Sequence, residues 1–262
     1  MKIDLTNQNA LVGASSKGIG LAIAIALANC GANVTLMARD EEKLKELVAN
    51  LPIKNNDQHH SYLKADFSNF EGYNKTINNF FNSHTVDILI NNTNGPKAGA
   101  TIELGVEEYQ KSFDLLFKTV CQTTLLALPH MRKQQFGRII NVSSISVKEP
   151  VANLVLSNSI RSATAAWAKT LATEVAADGI TVNNIMTGFF YTERLKSLIA
   201  TEAAQSGKSI EEIKDAKQKQ IPIKRFGKPE EYGHLVAFLA SSFASYITGT
   251  NITIDGGLGK SN

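Results

Sequence analysis

Short apolar runs alternate with amphipathic segments from one end of the chain to the other. The run Asn9–Ser15 (NALVGAS) reads as a buried strand, and GIGLAIAIALANCGA after it predicts a helix ending at Gly31. NVTLMAR predicts a second strand, DEEKLKELVANL a polar-faced helix, HSYLKAD a third strand and VDILINNT a fourth. The fourth is continuous and rich in β-branched residues, as strands covered on both faces are. Residues 109–133 predict one long helix, GRIINVSS a fifth strand, RSATAAWAKTLATEVAAD a helix stopped at Asp178-Gly179, and ITVNNIMT a sixth strand. A polar helical stretch covers 192–219, a further helix opens at Pro229, and TGTNITIDGG is a seventh strand.

Strands that alternate with helices build βαβ units, with the strands parallel and helices on both faces. The expected fold is α/β: a single-domain Rossmann-type doubly wound sheet of about seven parallel strands across residues 1–262. Ligands on such sheets bind at the carboxyl ends of the strands. The stretch 192–219 follows the sixth strand, so it is either a substrate lid or a plain surface helix pair.

Composition narrows the function. Of 262 residues, 43% are hydrophobic and 19% charged, ordinary for a globular chain. The net charge of +3 comes with no dense Lys/Arg cluster, so nucleic-acid binding is not expected. The two cysteines, Cys30 and Cys121, form no CxxC pair, so neither a metal site nor a disulfide framework is expected, and a reducing cytoplasm fits. The first residues form neither a signal peptide nor a spanning helix, and no apolar run nears the ~20 residues a membrane span needs.

The chemistry starts at GASSKGIG, between the first strand and the first helix. Gly13, Gly18 and Gly20 let the backbone turn tightly and approach a pyrophosphate, whose charge a helix N-terminus favours. Ser15, Ser16, Lys17 and Ile19 complete the turn. The second strand ends in Ala38 and Arg39, where an acidic residue would select NAD by its ribose hydroxyl. With no acid there, and with Lys17 and Arg39 as two cations, NADPH is favoured over NADH. Asp40 is expected to cap the next helix.

These motifs together resemble the short-chain dehydrogenase/reductase family, in particular its 3-oxoacyl-(acyl-carrier-protein) reductase-like members, from about Gln8 to Gly257. GASSKGIG matches the family's cofactor turn. By the same resemblance Asp66 and Phe67 contact adenine, and NNTN stands for Asn-Asn-Ala-Gly, with Asn92 at the cofactor. Ser144 falls on the catalytic serine. ITVNNIMTGFFYTER resembles the segment that carries cofactor contacts, here Gly188, Phe190 and Thr192, with Thr187 in place of a proline. The resemblance also implies a homo-oligomer, commonly a tetramer.

The departures from the family are as specific as the matches. Without a gap after Ser144, the family's Tyr-x-x-x-Lys aligns on Ser157 and Arg161, and its assisting asparagine on Leu116. A serine hydroxyl is a far weaker acid than a phenol, which titrates near ~10 and is lowered by a neighbouring cation. Arg161 can hold a ribose and supply positive charge, but it relays no proton, because guanidinium stays protonated. The four-residue spacing puts Ser157 and Arg161 on one helix face. His59, His60, His84, His130 and His234 lie at no strand end where an acid is needed. Tyr191, three residues after Gly188, is either the acid or a packing residue in the apolar FFY run. A third route has Ser144 and Arg161 stabilise an oxyanion while water supplies the proton.

Two functions therefore stand. The first is an NADP(H)-dependent oxidoreductase acting on a small-molecule carbonyl or alcohol with an atypical catalytic set, drawn from Ser144, Ser157, Arg161 and Tyr191. The second is a non-catalytic NADP(H)-binding protein, a sensor or assembly subunit.

Overall fold

A computed structural model describes residues 2–261. The seven strands are β1 (Asn9–Gly13), β2 (Asn33–Ala38), β3 (Ser61–Lys64), β4 (Ile88–Asn91), β5 (Gly137–Val142), β6 (Ile180–Thr187) and β7 (Asn251–Ile254). They form one sheet in the order β3-β2-β1-β4-β5-β6-β7, with every pairing parallel. The order reverses between β1 and β4, the switch point at which ligands of such sheets bind.

The helices are α1 (Gly18–Asn29), α2 (Glu41–Ala49), α3 (Phe70–Phe81), α4 (Val106–Phe113), α5 (Thr119–Gln134), α6 (Val155–Val175), α7 (Glu193–Ser206), α8 (Ile210–Gln220) and α9 (Pro229–Ala240). Because side chains alternate along a strand, each inner strand feeds two cores. Val12, Leu36, Ile90 and Ile140 pack with Ile23 and Leu27 of α1, Leu44 of α2 and Val236 of α9. Leu11, Leu89, Ile139 and Val182 pack on the other face with Ile77 of α3, Met131 of α5 and Leu171 of α6. A third cluster joins α7 to α8 through Leu195, Ile199 and Ile213, with Phe226 beneath.

Two helices differ from their expected spans. Residues 109–133 do not form one regular helix. The chain becomes helical earlier, at Val106, and a π-helical turn at Asp114–Lys118 separates α4 from α5. Such a turn frees a backbone carbonyl, and the Thr164 hydroxyl reaches that of Leu116 at 3.1 Å. α6 also begins six residues before Arg161, so that Ser157 lies inside it. Among the described residues, no helix is long and apolar enough to cross a membrane.

Candidate active site

The glycine turn sits at the carboxyl end of β1. A Cβ on Gly13 would lie 2.3 Å from the carbonyl oxygen of Asn92, and one on Gly20 would lie 2.4 Å from that of Ala14. Both positions therefore exclude any side chain. Ala14 and Gly18 take positive φ values of 44° and 59°. Asn92 ties the end of β4 to this turn by donating from Nδ2 to Gly13 O at 3.0 Å. Ser15 is fully buried, and its hydroxyl accepts from Met37 N–H at 2.9 Å, so it anchors the turn to β2. Ser16 and Ile19 are part-buried beside it, and Lys17 is exposed.

Lys17 takes the position before α1, gives no side-chain cap, and no acid stands in the first turn. The first backbone N–H groups of α1 therefore carry no side-chain cap, and their dipole favours an anion. Thr192 faces this turn: its methyl would lie 3.5 Å from a Cβ on Gly18, and its hydroxyl accepts from Leu195 N–H to start α7. Uncapped N–H groups, an adjacent cation and side-chain-free glycines suit a pyrophosphate.

At the end of β2, Ala38 is buried and Arg39 exposed. Asp40 caps α2 by accepting from Lys43 N–H at 3.0 Å, as expected. Arg39 acts electrostatically on Asp66, whose carboxyl lies below its usual range, mainly because Ser68 donates to it. Lys17 acts instead on Glu193. Phe67 is buried, its ring 5.2 Å from that of Tyr73.

The other half of the site lies at the ends of β4, β5 and β6. Arg161 reaches from α6 and donates from Nη1 to Val142 O at 2.7 Å. The residue as a whole is part-exposed, but its guanidinium is enclosed by protein. Burial lowers its pKa to about 10, so the group stays charged at neutral pH. It lines a small cleft with Asn91, Thr93, Leu116, Asn141 and Thr164 that has room for about one water. Leu116 is buried and apolar on that wall. Ser157 is buried in the same helix, one turn before Arg161.

Ser144 is half-buried in the loop after β5, and its hydroxyl accepts from Ser146 N–H at 3.1 Å, leaving its own proton free to donate. Gly188 follows β6 and is tied to β7 through Ile254 O at 3.0 Å. Phe190 is buried edge-on to Tyr232, with ring centroids 5.3 Å apart. Tyr191 is 47% exposed; its ring stacks on Phe226 at 6.0 Å, and the Lys196 ammonium lies 5.1 Å above it. Nothing ties its hydroxyl to Arg161 or Ser144. Three of the histidines lie away from this end: His59 and His60 precede β3, and His130 pairs with Asp87 just before β4, at the amino ends of the strands, while His234 is exposed on α9.

Three features escape the sequence reading. Asn91, Asn141 and Asn184 stand side by side in register on β4, β5 and β6. Asn91 Nδ2 donates to Asn141 Oδ1, and Asn141 Nδ2 to Asn184 Oδ1, each at 2.8 Å. Asn91 and Asn141 stand at or next to the ends of β4 and β5, but Asn184 lies in the middle of β6, so only the strand register brings the three together. Second, the Ser146 hydroxyl is buried beside Ser144 without a hydrogen-bond partner. Third, Thr187 lies 3.0 Å from the Tyr232 hydroxyl. Burial pushes that phenol well up, while Thr187 and the Arg161 charge pull the other way.

The match to known proteins runs along the whole chain. A family model described as enoyl-(acyl carrier protein) reductase matches residues 13–259. The 3-oxoacyl-(acyl-carrier-protein) reductase FabG of Aquifex aeolicus is 30% identical over 259 residues, covering 98% of this chain and 100% of that protein. Dehydrogenase/reductase SDR family member 4 of Oryctolagus cuniculus is 32% identical, covering 97% and 94%. Among solved structures, L-sorbose reductase from Gluconobacter frateurii, complexed with NADPH and L-sorbose, superposes with a TM-score of 0.92 at 29% identity over 100% of both chains. The chain belongs to the short-chain dehydrogenase/reductase family.

Proposed function

We propose that the protein is an NADP(H)-dependent oxidoreductase acting on a small carbonyl or alcohol compound with an atypical active site. In this reading Ser157 and Arg161 stand at the family's Tyr and Lys positions, and Leu116 at that of its asparagine. The observation that carries it is the enclosed Arg161 guanidinium, held by Val142 O at the carboxyl end of the sheet and uncompensated by a carboxylate among the described residues. A buried charge is costly, and its place at the end of β5, two residues before Ser144 in the chain, suits a site where negative charge develops.

Gly13, Gly18, Gly20 and the first turn of α1 hold the pyrophosphate, with Thr192 facing them. Lys17 and Arg39 favour a 2′-phosphate. Bound NADPH supplies the hydride. Ser144 donates to the substrate oxygen, and Arg161 stabilises it through its field as charge builds, an effect that preorganised donors provide at low cost. Water at the cleft of Arg161 and Asn91 gives the proton, since guanidinium does not. The α7–α8 pair forms the lid in this reading.

The test is NADPH oxidation against a panel of ketones and aldehydes. Turnover that falls much further on Ser144→Ala than on Tyr191→Phe supports the oxyanion route. The reverse order assigns the proton to Tyr191, and no oxidation of NADPH by any carbonyl counts against an enzyme.

A further inference from the structure

Arg194 is placed at the rim of this site without a charge to answer it. It lies in the first turn of α7, two residues after Thr192, which faces the glycine turn. Its side chain leaves the helix and crosses to the loop after β4, where Nη2 donates to Pro96 O at 3.3 Å. The guanidinium lies against Gly95, where an added Cβ would be 3.3 Å from Nη2. That loop also carries Thr93, which lines the cleft with Arg161. Arg194 therefore spans the gap between the lid and the floor of the site.

The nearby acids are taken. Glu193 pairs with Lys196 at 2.7 Å, and Glu108 with Lys97 at 3.6 Å. Among the described residues, no carboxylate pairs with Arg194. A guanidinium carries five donors in a planar fork; here one long hydrogen bond occupies one of them. Extending so long a side chain costs rotamer freedom, and one hydrogen bond of this length returns little. The fork matches the paired oxygens of a carboxylate or phosphate.

We propose that Arg194 is a specificity-determining residue that binds an anionic group, a carboxylate or phosphate, on the carbonyl substrate. This rests on the oxidoreductase reading above. The substrate spans the site, with its carbonyl at Ser144 and its anion at the rim.

The experiment compares matched pairs in the presence of NADPH: levulinate against methyl levulinate, and dihydroxyacetone phosphate against dihydroxyacetone. Wild-type kcat/KM favours the anionic member of at least one pair by roughly fivefold to tenfold, as expected for a fork-shaped pair at a solvent-exposed rim. In Arg194→Gln that ratio falls to near one, through KM rather than kcat, and Arg194→Lys restores part of it. Which pair responds distinguishes carboxylate from phosphate. Equal use of charged and neutral members, or an equal fall for both in Arg194→Gln, overturns the proposal. Calorimetric titration of the same anions into wild type and Arg194→Gln reads the site without turnover. Anion binding lost in the variant supports the proposal even if no carbonyl is reduced; no anion binding at millimolar concentration overturns it.

Discussion

The Arg161 guanidinium donates to Val142 O at 2.7 Å, and so a helix on one face of the sheet holds a positive charge at the carboxyl end of β5. That carbonyl is neutral, and the rest of the cleft is amides, hydroxyls and the apolar side chains of Leu116 and Val120. This arrangement costs stability and leaves a field directed at the cleft, which makes its contribution to activity separable from its contribution to folding.

Arg161→Met separates them. Methionine fills similar apolar volume without the buried charge, so Tm holds or rises, as when buried charges give way to apolar side chains. Turnover falls by about 10²–10³, the usual effect of removing an oxyanion-stabilising group. Thermal unfolding and NADPH oxidation on the same preparations check both halves. A Tm that falls along with turnover would make Arg161 a structural residue.

Proton supply is read from the order of two variants. Ser144 keeps a free hydroxyl proton in the loop after β5, whereas the Tyr191 ring is stacked on Phe226. Ser144→Ala is expected to lower kcat by about 10²-fold, the scale of a lost donor. Tyr191→Phe is expected to cost much less. Steady-state kinetics on the best ketone of a panel settles the order.

Gly13→Ala tests the turn itself. Its new Cβ would meet Asn92 O, a backbone atom fixed by β4, so relief requires moving a strand end. The expected loss is about 1–3 kcal/mol, seen as a lower urea midpoint with unchanged slope. Dinucleotide affinity falls with it.

His60 gives stability a pH dependence. Its Nδ1 accepts from Val34 N–H at 3.1 Å, which requires the neutral ring, while Nε2 faces Pro52 O at 3.0 Å. Burial lowers its pKa below the ordinary 6.5. The unfolded chain therefore takes up this proton first. The contribution of His60 is full above pH 6.5 and is lost as pH falls from there through the folded value. Urea midpoints between pH 8 and pH 5 are expected to fall more steeply in wild type than in His60→Gln.

Much of this was legible in the sequence, because its signals are local. Seven apolar runs, the glycine turn and the Asp40 cap depend on neighbours in the chain, and all stand where the pattern placed them. What was hidden depends on partners far along the chain. The π-helical turn at Asp114–Lys118 faces α6 through Thr164, which no periodicity within 109–133 reveals. The asparagine ladder needs the strand register, and Arg194 needs a loop 98 residues away. The placement of Ser157 and Arg161 on one helix was readable from spacing alone; the enclosure of the guanidinium was not.

The most direct measurement is a titration of the purified protein with NADPH and with NADH, followed by dinucleotide fluorescence. NADPH is expected to bind about tenfold or more ahead of NADH if, as proposed, Lys17 and Arg39 meet the 2′-phosphate. Neutralising Lys17 and Arg39 together should erase that margin and leave NADH binding in place. Failure to bind either dinucleotide, or a preference for NADH, would contradict the proposal.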